Sequence, residues 1–104
     1  MLIVKKFGGS SVADKERIFN VARRCIEDYD KGNDVVVVLS AMGKTTDQLL
    51  AKAAEINPNA SKREMDMLLV TGEQVSVSLM TMALHSLGAA AISLNAAQVA
   101  MHTT

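Results

Sequence analysis

The amino-acid sequence predicts an α/β fold in which helices cover both faces of a mainly parallel β-sheet. Two features of the sequence indicate this three-layer α/β/α arrangement. Short runs rich in β-branched residues alternate with longer segments of helical periodicity, as they do in β-α-β units. The run at residues 34–39 is almost continuously apolar, which is typical of a parallel strand that is covered on both faces.

The first predicted unit is a strand and a helix joined by glycines. Residues 2–7 form a short apolar run that ends at Gly8 and Gly9, a pattern that predicts a strand followed by a turn. Ser11 then begins a Ser-Val-Ala-Asp capping box, so we expect a helix over residues 14–30.

The second predicted unit begins with the strand at residues 34–39 and continues through a loop of small residues, 40–44. Thr45 and Gln48 are in capping-box register, and the helix that they open is expected to end near Ile56.

The last third of the chain is predicted to contain one long helix and one strand. Pro58 breaks the preceding helix, and a Ser-Lys-Arg-Glu capping box opens a helical segment over residues 61–87 that ends at Gly88. Residues 91–94 are predicted to form a third strand, and residues 95–104 show no clear element.

The composition indicates a globular unit of one domain or less. Of the 104 residues, 49% are hydrophobic, 21% are charged and 3% are aromatic. Basic and acidic side chains balance, with 11 of each, so we expect no nucleic-acid partner. No run approaches the roughly 20 apolar residues of a membrane span, and the apolar N-terminus is too short for a signal peptide. The sequence therefore predicts a cytoplasmic protein that has no membrane partner.

Neither the cysteine nor the histidines indicate a metal or a disulfide. Cys25 is the single cysteine, and its place on an apolar helix stripe predicts a buried side chain. His85 and His102 have no cysteine or carboxylate at metal-ligand spacing, so we expect no metal site.

The first candidate site follows the first strand. It comprises Lys6, Phe7, Gly8, Gly9, Ser10 and Ser11. The glycines allow a close approach to a ligand, and the helix N-terminus offers free N–H groups, which together suit phosphate oxygens. An ordinary strand-to-helix turn is the alternative, and the adjacent glycines do not match the spacing of a dinucleotide-binding fingerprint.

The second candidate site, residues 40–46, follows the second strand. Its segment Gly43-Lys44-Thr45 resembles the end of a Walker A loop, but Val38 stands where that motif needs its first glycine. What remains is a hydroxyl-rich loop that opens a helix and can hold a carboxylate or a phosphate. Simple capping of the helix by Thr45 is the alternative.

The third candidate is Glu73 on the long helix. It shares a helix face with Leu69, Val70, Val77 and Met80. A carboxylate is costly to bury on an apolar face without a partner, and the ammonium group of a ligand is one such partner. Alternatively, Glu73 faces solvent or pairs with a neighbouring Lys or Arg. Gly72 lowers helix stability and therefore suggests a close approach by another group.

These sites, in this order, resemble the aspartate kinase branch of the amino acid kinase family. The resemblance is carried by residues 6–12, 37–43, 61–69 and 71–76, and it extends over essentially the whole chain. It implies an amino acid kinase (carbamate kinase-like) fold. It also implies ATP-dependent phosphorylation of the side-chain carboxylate of L-aspartate to 4-phospho-L-aspartate, the first step of lysine, threonine and methionine biosynthesis.

The resemblance implies a role for each site residue. Lys6 would be catalytic, stabilising charge on the transferred phosphoryl group. The nucleotide would be bound by Lys6, Phe7, Gly8, Gly9, Ser10 and Ser40. Thr46 and Glu73 would hold L-aspartate, Glu73 through the α-ammonium group. Mg²⁺ would arrive with ATP rather than in a dedicated protein cage.

Members of this family are longer than this chain. We therefore interpret residues 1–104 as the N-terminal portion of a catalytic domain, with little or no activity alone and a tendency to form homo-oligomers. The alternative is a non-catalytic α/β module, derived from the kinase, that associates with itself through its open sheet edge or its long helix.

Overall fold

A computed structural model describes residues 1–95 and 98–101 of the chain. In chain order its elements are β1 (Leu2–Phe7), a 3₁₀ turn (Gly9–Val12), α1 (Lys15–Asp30), β2 (Asp34–Leu39), α2 (Gly43–Ile56), α3 (Lys62–Ser86), β3 (Ile92–Asn95) and β4 (Gln98–Met101). Every helix and strand that the sequence predicts is therefore present.

The four described strands form one sheet in the order β1-β2-β4-β3. β1 and β2 are parallel and are connected through α1. β4 is antiparallel to both of its neighbours, β2 and β3. The three strands that the sequence predicts therefore run in the same direction, and β4 runs against them.

β4 lies in the segment for which the sequence predicts no clear element, so that prediction is wrong for residues 98–101. Four residues are too few to show a period, and the strand exists because β2 and β3 supply hydrogen-bonding partners on both sides. Its interior position also explains why Val99, Ala100 and Met101 are buried. Residues 96, 97 and 102–104 lie outside the described residues.

One face of the sheet is covered by helices and forms the core. Its buried residues are Val35, Val37, Leu39, Val99 and Met101. α1 and α3 pack against each other and against this face, and α2 packs against α3. Cys25 of α1 is buried here as a free thiol. Burial raises the pKa of the Cys25 thiol to about 11, so the side chain serves as a small apolar group.

The other face of the sheet is open in the described part of the chain. Val4, Val36, Ala100 and Ile92 are paired in one row across the four strands and so lie on this face. Val4 exposes 60% of its surface and Ile92 exposes 55%. The second helical layer of the predicted three-layer arrangement is therefore not among the described residues.

Two predicted capping boxes are wrong. α1 is capped by Asp14, whose Oδ1 accepts a hydrogen bond from the backbone N–H of Arg17 at 2.8 Å. Ser11 cannot cap this helix because it lies within the preceding 3₁₀ turn. The N-cap of α2 is Met42, which makes no side-chain capping bond, and Thr45 lies inside the first turn.

α3 is a helix of 25 residues, and its predicted N-cap is confirmed. Ser61 Oγ accepts a hydrogen bond from the backbone N–H of Glu64 at 3.3 Å. Beyond the helix, Gly88 adopts a φ of +85°, which glycine tolerates best. By length and average composition, α3 is a candidate membrane span. This is a weak indication, because a helix that packs into the core of a soluble protein meets the same criteria, and the C-terminal half of α3 is packed in this way.

Candidate functional site

The first and second candidate sites begin side by side at the carboxyl ends of β1 and β2. Phe7 is the last residue of β1, and its carbonyl oxygen accepts a hydrogen bond from the backbone N–H of Ser40 at 3.2 Å. Ser40 directly follows β2. Clefts at the carboxyl ends of parallel strands are the usual ligand sites of open α/β sheets.

The glycine loop of the first candidate site, residues 8–11, packs directly on the second loop, residues 40–44. A Cβ atom at Gly9 would lie 2.5 Å from the carbonyl oxygen of Ala41 and 3.2 Å from the amide nitrogen of Gly43. Because both neighbours are backbone atoms, a side chain at this position would displace one of the two loops. Gly8 has no such constraint, since no atom lies within 4 Å of its Cβ position.

Gly72 brings α3 against the same loop. A Cβ atom at Gly72 would lie 3.0 Å from Cβ of Ala41 and 3.5 Å from Cγ2 of Thr45. The close approach that the sequence predicts at Gly72 is therefore made by the protein's own loop. Ala41 therefore contacts both the glycine loop and α3, and Glu73 is the residue that follows Gly72 on α3.

Glu73 is partly buried, and in the described part of the chain its carboxylate has no hydrogen bond or ion pair. It therefore does not pair with a neighbouring Lys or Arg, which was one of the alternatives. Its oxygens are available to accept hydrogen bonds from a ligand.

Thr46 has a local role in the first turn of α2. Its backbone N–H and its hydroxyl both donate to the carbonyl oxygen of Met42, at 3.0 and 3.4 Å. The side chain is partly buried. With its proton engaged in this way, the hydroxyl oxygen can still accept a hydrogen bond.

Lys6 lies at the same edge of the sheet but on its open face. Side chains alternate along β1, so Lys5 points to the covered face, where its Nζ lies 2.5 Å from Oδ2 of Asp28. Lys6 is exposed and makes no hydrogen bond or ion pair with any described residue. The structure therefore places Glu73 on α3, next to Gly72 and on the covered side of the sheet, and Lys6 on the opposite, open face.

The 3₁₀ turn presents backbone donors. The N–H of Ser11 donates to the carbonyl oxygen of Gly8 at 3.1 Å and closes the turn. Gly9 and Ser10 begin the turn, so their N–H groups have no partner within it. Free N–H groups at the start of a helical turn are suited to binding an anion.

Sequence reasoning missed two residues of this region. Ala41 was included only as part of a small-residue loop, because its contacts with Gly9 and Gly72 are distant in sequence. Arg17 was missed because it looks like any other surface arginine of an amphipathic helix. Its Nη1 donates to the carbonyl oxygen of Ser10 at 2.9 Å.

No group of three His, Cys, Asp or Glu side chains within residues 1–95 and 98–101 could hold a metal ion. Nε2 of His85 lies 2.8 Å from the carbonyl oxygen of Ala91, a contact that ties the end of α3 to β3. His102 lies outside the described residues.

An apolar hollow of about 340 Å³ lies between α1 and α3. It is lined by apolar side chains that include Ile18, Phe19, Leu79 and Met82. Met42 is the only residue of the second candidate site that lines it, and none of the residues to which the resemblance assigns a role does, so it is not the candidate site.

Comparison with known proteins agrees with the resemblance seen in the sequence. The family model described as the amino acid kinase family matches residues 1–103. The chain is 59% identical to an aspartokinase of Geobacillus stearothermophilus and 54% identical to aspartokinase 2 of Bacillus subtilis (strain 168), in each case over 102 residues. Each match covers 98% of this chain and 25% of the relative.

A solved structure of aspartate kinase from Synechocystis has the same fold. Its TM-score to this chain is 0.87 at 55% sequence identity, over 90% of this chain and 16% of the other. The predicted fold class is confirmed by this match. The chain spans about a quarter of the length of the curated relatives that it matches.

Proposed function

The chain belongs to the amino acid kinase family, and we propose that it forms part of the catalytic site of an aspartate kinase. The reaction is the ATP-dependent phosphorylation of the side-chain carboxylate of L-aspartate to 4-phospho-L-aspartate, the first step of lysine, threonine and methionine biosynthesis. The observation that supports the proposal is the meeting of the glycine loop, the second loop and α3 at Ala41. This meeting occurs in a chain that is 59% identical to an aspartokinase.

In the proposed reaction, an oxygen of the aspartate side-chain carboxylate attacks the γ-phosphorus of ATP. The new O–P bond forms as the bond from the γ-phosphorus to the β–γ bridging oxygen breaks, and ADP leaves with that electron pair. The carboxylate is already ionised near neutral pH, so the step requires no general base. The protein positions both substrates and neutralises the charge that spreads over the phosphoryl group.

We assign the nucleotide phosphates to the carboxyl edge of β1 and β2. The residues of this assignment are Lys6, Phe7, Gly8, Gly9, Ser10 and Ser40. Gly9 and Ser10 contribute free N–H groups, and Lys6 contributes a charge that no described side chain neutralises. Mg²⁺ belongs to the nucleotide substrate in this assignment, because phosphate oxygens supply ligands to the ion.

We assign L-aspartate to the junction beside Ala41. The Glu73 carboxylate pairs with the α-ammonium group, and the hydroxyl oxygen of Thr46 accepts a hydrogen bond from the same group. A ligand cation would offset the cost of holding a carboxylate in a partly buried position without another partner. This assignment places the substrate next to the second loop, which contacts the 3₁₀ turn that is assigned to the nucleotide phosphates.

The domain assignment, the location and the assembly are part of the same proposal. We propose that residues 1–104 correspond to the N-terminal portion of the catalytic domain, in the cytoplasm. Homo-oligomer formation follows from the exposed apolar sheet face, which association would bury.

Calorimetric titration with L-aspartate tests the substrate assignment. Glu73→Gln is expected to weaken binding on the order of 10-fold or more, because a charge-assisted contact is lost. The matched control is Glu55→Gln, which removes an equal charge from an exposed position on α2. Equal affinities in the two variants would contradict the assignment.

Trapping of aspartyl phosphate with hydroxylamine tests catalysis in the same samples. We expect the chain alone to give little or no product, because it spans 25% of its aspartokinase relatives. Product that disappears in Lys6→Ala would show instead that these residues assemble a working site.

A second candidate function is supported by the open sheet face. Exposed apolar residues on this face include Leu2, Val4 and Ile92. A non-catalytic module that associates with itself would bury them, together with the sheet edge or the long helix. A dimer whose stability does not respond to aspartate or to nucleotide would favour this function.

A further inference from the structure

A side chain from α1 holds the backbone of the glycine loop. Arg17 Nη1 donates to the carbonyl oxygen of Ser10 at 2.9 Å. The N–H of Ser11, which belongs to the same peptide group as that carbonyl, donates to the carbonyl oxygen of Gly8 at 3.1 Å. Because a peptide group is planar and rigid, hydrogen bonds at both of its ends fix its orientation.

Arg17 is itself oriented by the N-cap of α1. Asp14 Oδ1 accepts a hydrogen bond from the backbone N–H of Arg17, and Asp14 Oδ2 lies 3.8 Å from Nε of its guanidinium. The guanidinium is a planar fork, so a carboxylate on its Nε side leaves Nη1 free to reach the loop. The two side chains are 56% and 58% exposed. An ion pair so exposed contributes little to stability, and its effect is to orient the guanidinium.

We propose that Arg17 is a positioning residue that holds the glycine loop in its anion-binding conformation. With the peptide between Ser10 and Ser11 fixed, the free N–H groups of Gly9 and Ser10 stay at the start of the turn. A loop that is ordered before binding loses less conformational entropy when an anion arrives. The anion class, a polyphosphate, rests on the proposed function, whereas the fixing of the loop does not.

Amide hydrogen exchange without any ligand tests whether Arg17 fixes the loop. In Arg17→Ala the amide of Ser11 is expected to exchange on the order of 10-fold faster, since its peptide group loses a charge-assisted hydrogen bond. The matched control is Arg24→Ala, seven residues further along α1. Arg24 is also exposed and makes no hydrogen bond or ion pair with a described residue. Equal exchange at Ser11 in the two variants would overturn the proposal.

Titration with inorganic tripolyphosphate and Mg²⁺ tests whether the ordered loop serves an anion. Arg17→Ala is expected to raise the Kd for tripolyphosphate on the order of 10-fold and to leave the Kd for L-aspartate unchanged. Arg24→Ala removes the same charge and is expected to have a much smaller effect.

The conservative variant separates position from charge. Arg17→Lys keeps the charge but loses the planar fork, so it is expected to recover only part of the affinity. Full recovery, or an equal loss in Arg24→Ala, would show that Arg17 acts through its charge alone and would overturn the positioning role. If the wild-type chain bound no tripolyphosphate, the anion assignment would fail. Faster exchange at Ser11 in Arg17→Ala would still support the fixing of the loop.

Discussion

Successive valines of β2 lie in different environments on the two faces of the sheet. Val35 and Val37 are fully buried beneath α1 and α3, whereas Val36 and Val38 are only partly buried on the open face. The sequence of β2 does not distinguish these positions, because an almost continuous apolar strand suits a sheet that is covered on both sides. The difference shows that this strand is suited to a second covering layer, which the described residues do not supply.

The same contrast separates the two lysines of β1. Lys5 faces the helices and pairs with Asp28, whereas Lys6 faces the open side and has no partner among the described residues. On the covered face, the ion pair between Lys5 and Asp28 therefore connects β1 to α1. On the open face, the Lys6 ammonium group remains unpaired with any described residue at the edge where the glycine loop begins.

The largest expected difference between the faces is in the free energy of unfolding. Val37→Ala is expected to cost about 2 kcal/mol, from the transfer of two methyl groups and the cavity that remains. Val36→Ala makes the same chemical change on the open face and is expected to cost less than about 1 kcal/mol. Urea denaturation at two protein concentrations measures both. If Val36→Ala and Val37→Ala lowered the free energy of unfolding equally at both concentrations, the open face would be covered in the isolated chain.

A smaller difference between the two faces is expected in how steeply the free energy of unfolding falls at acid pH. The hydrogen bond from Lys5 holds the pKa of Asp28 below its ordinary value of 3.8. A carboxylate whose pKa is lowered by folding stabilises the protein above its ordinary pKa, and this contribution is lost as the pH falls through the folded-state value.

Lys5→Met should therefore lose stability less steeply below pH 3.8 than the wild-type chain does. Lys6→Met, its neighbour on the open face, should retain the wild-type slope. Thermal melts between neutral pH and pH 3 compare the two variants, and identical slopes would exclude a stabilising role for the ion pair with Asp28.

The smallest expected effect on stability comes from the open face alone. Val4→Thr replaces an exposed apolar group and should change the free energy of unfolding by less than about 0.5 kcal/mol. If the open face mediates association, sedimentation at high protein concentration should show a weaker dimer in this variant. Val70→Thr on α3, which is 36% exposed, is the control for association through the long helix. A loss of dimer in Val70→Thr alone would assign association to that helix.

The elements that the sequence determined by itself are those with a local signal. The apolar run of β2, the Ser61 cap of α3 and Gly88 after α3 each act within a few residues. Periodicity and turn chemistry are properties of neighbouring residues, so they could be predicted without a partner. The candidate site residues could be identified for the same reason, since each motif is a short contiguous segment.

Only the tertiary structure decided how those segments meet. It placed β4 between β2 and β3, put Lys6 and Glu73 on opposite sides of the sheet, and gave Arg17 its contact with the carbonyl of Ser10. It also brought Gly9 and Gly72, which are far apart in the sequence, against the same residue, Ala41. Strand pairing and close packing depend on residues distant along the chain, and a local pattern carries no information about which of them will be neighbours.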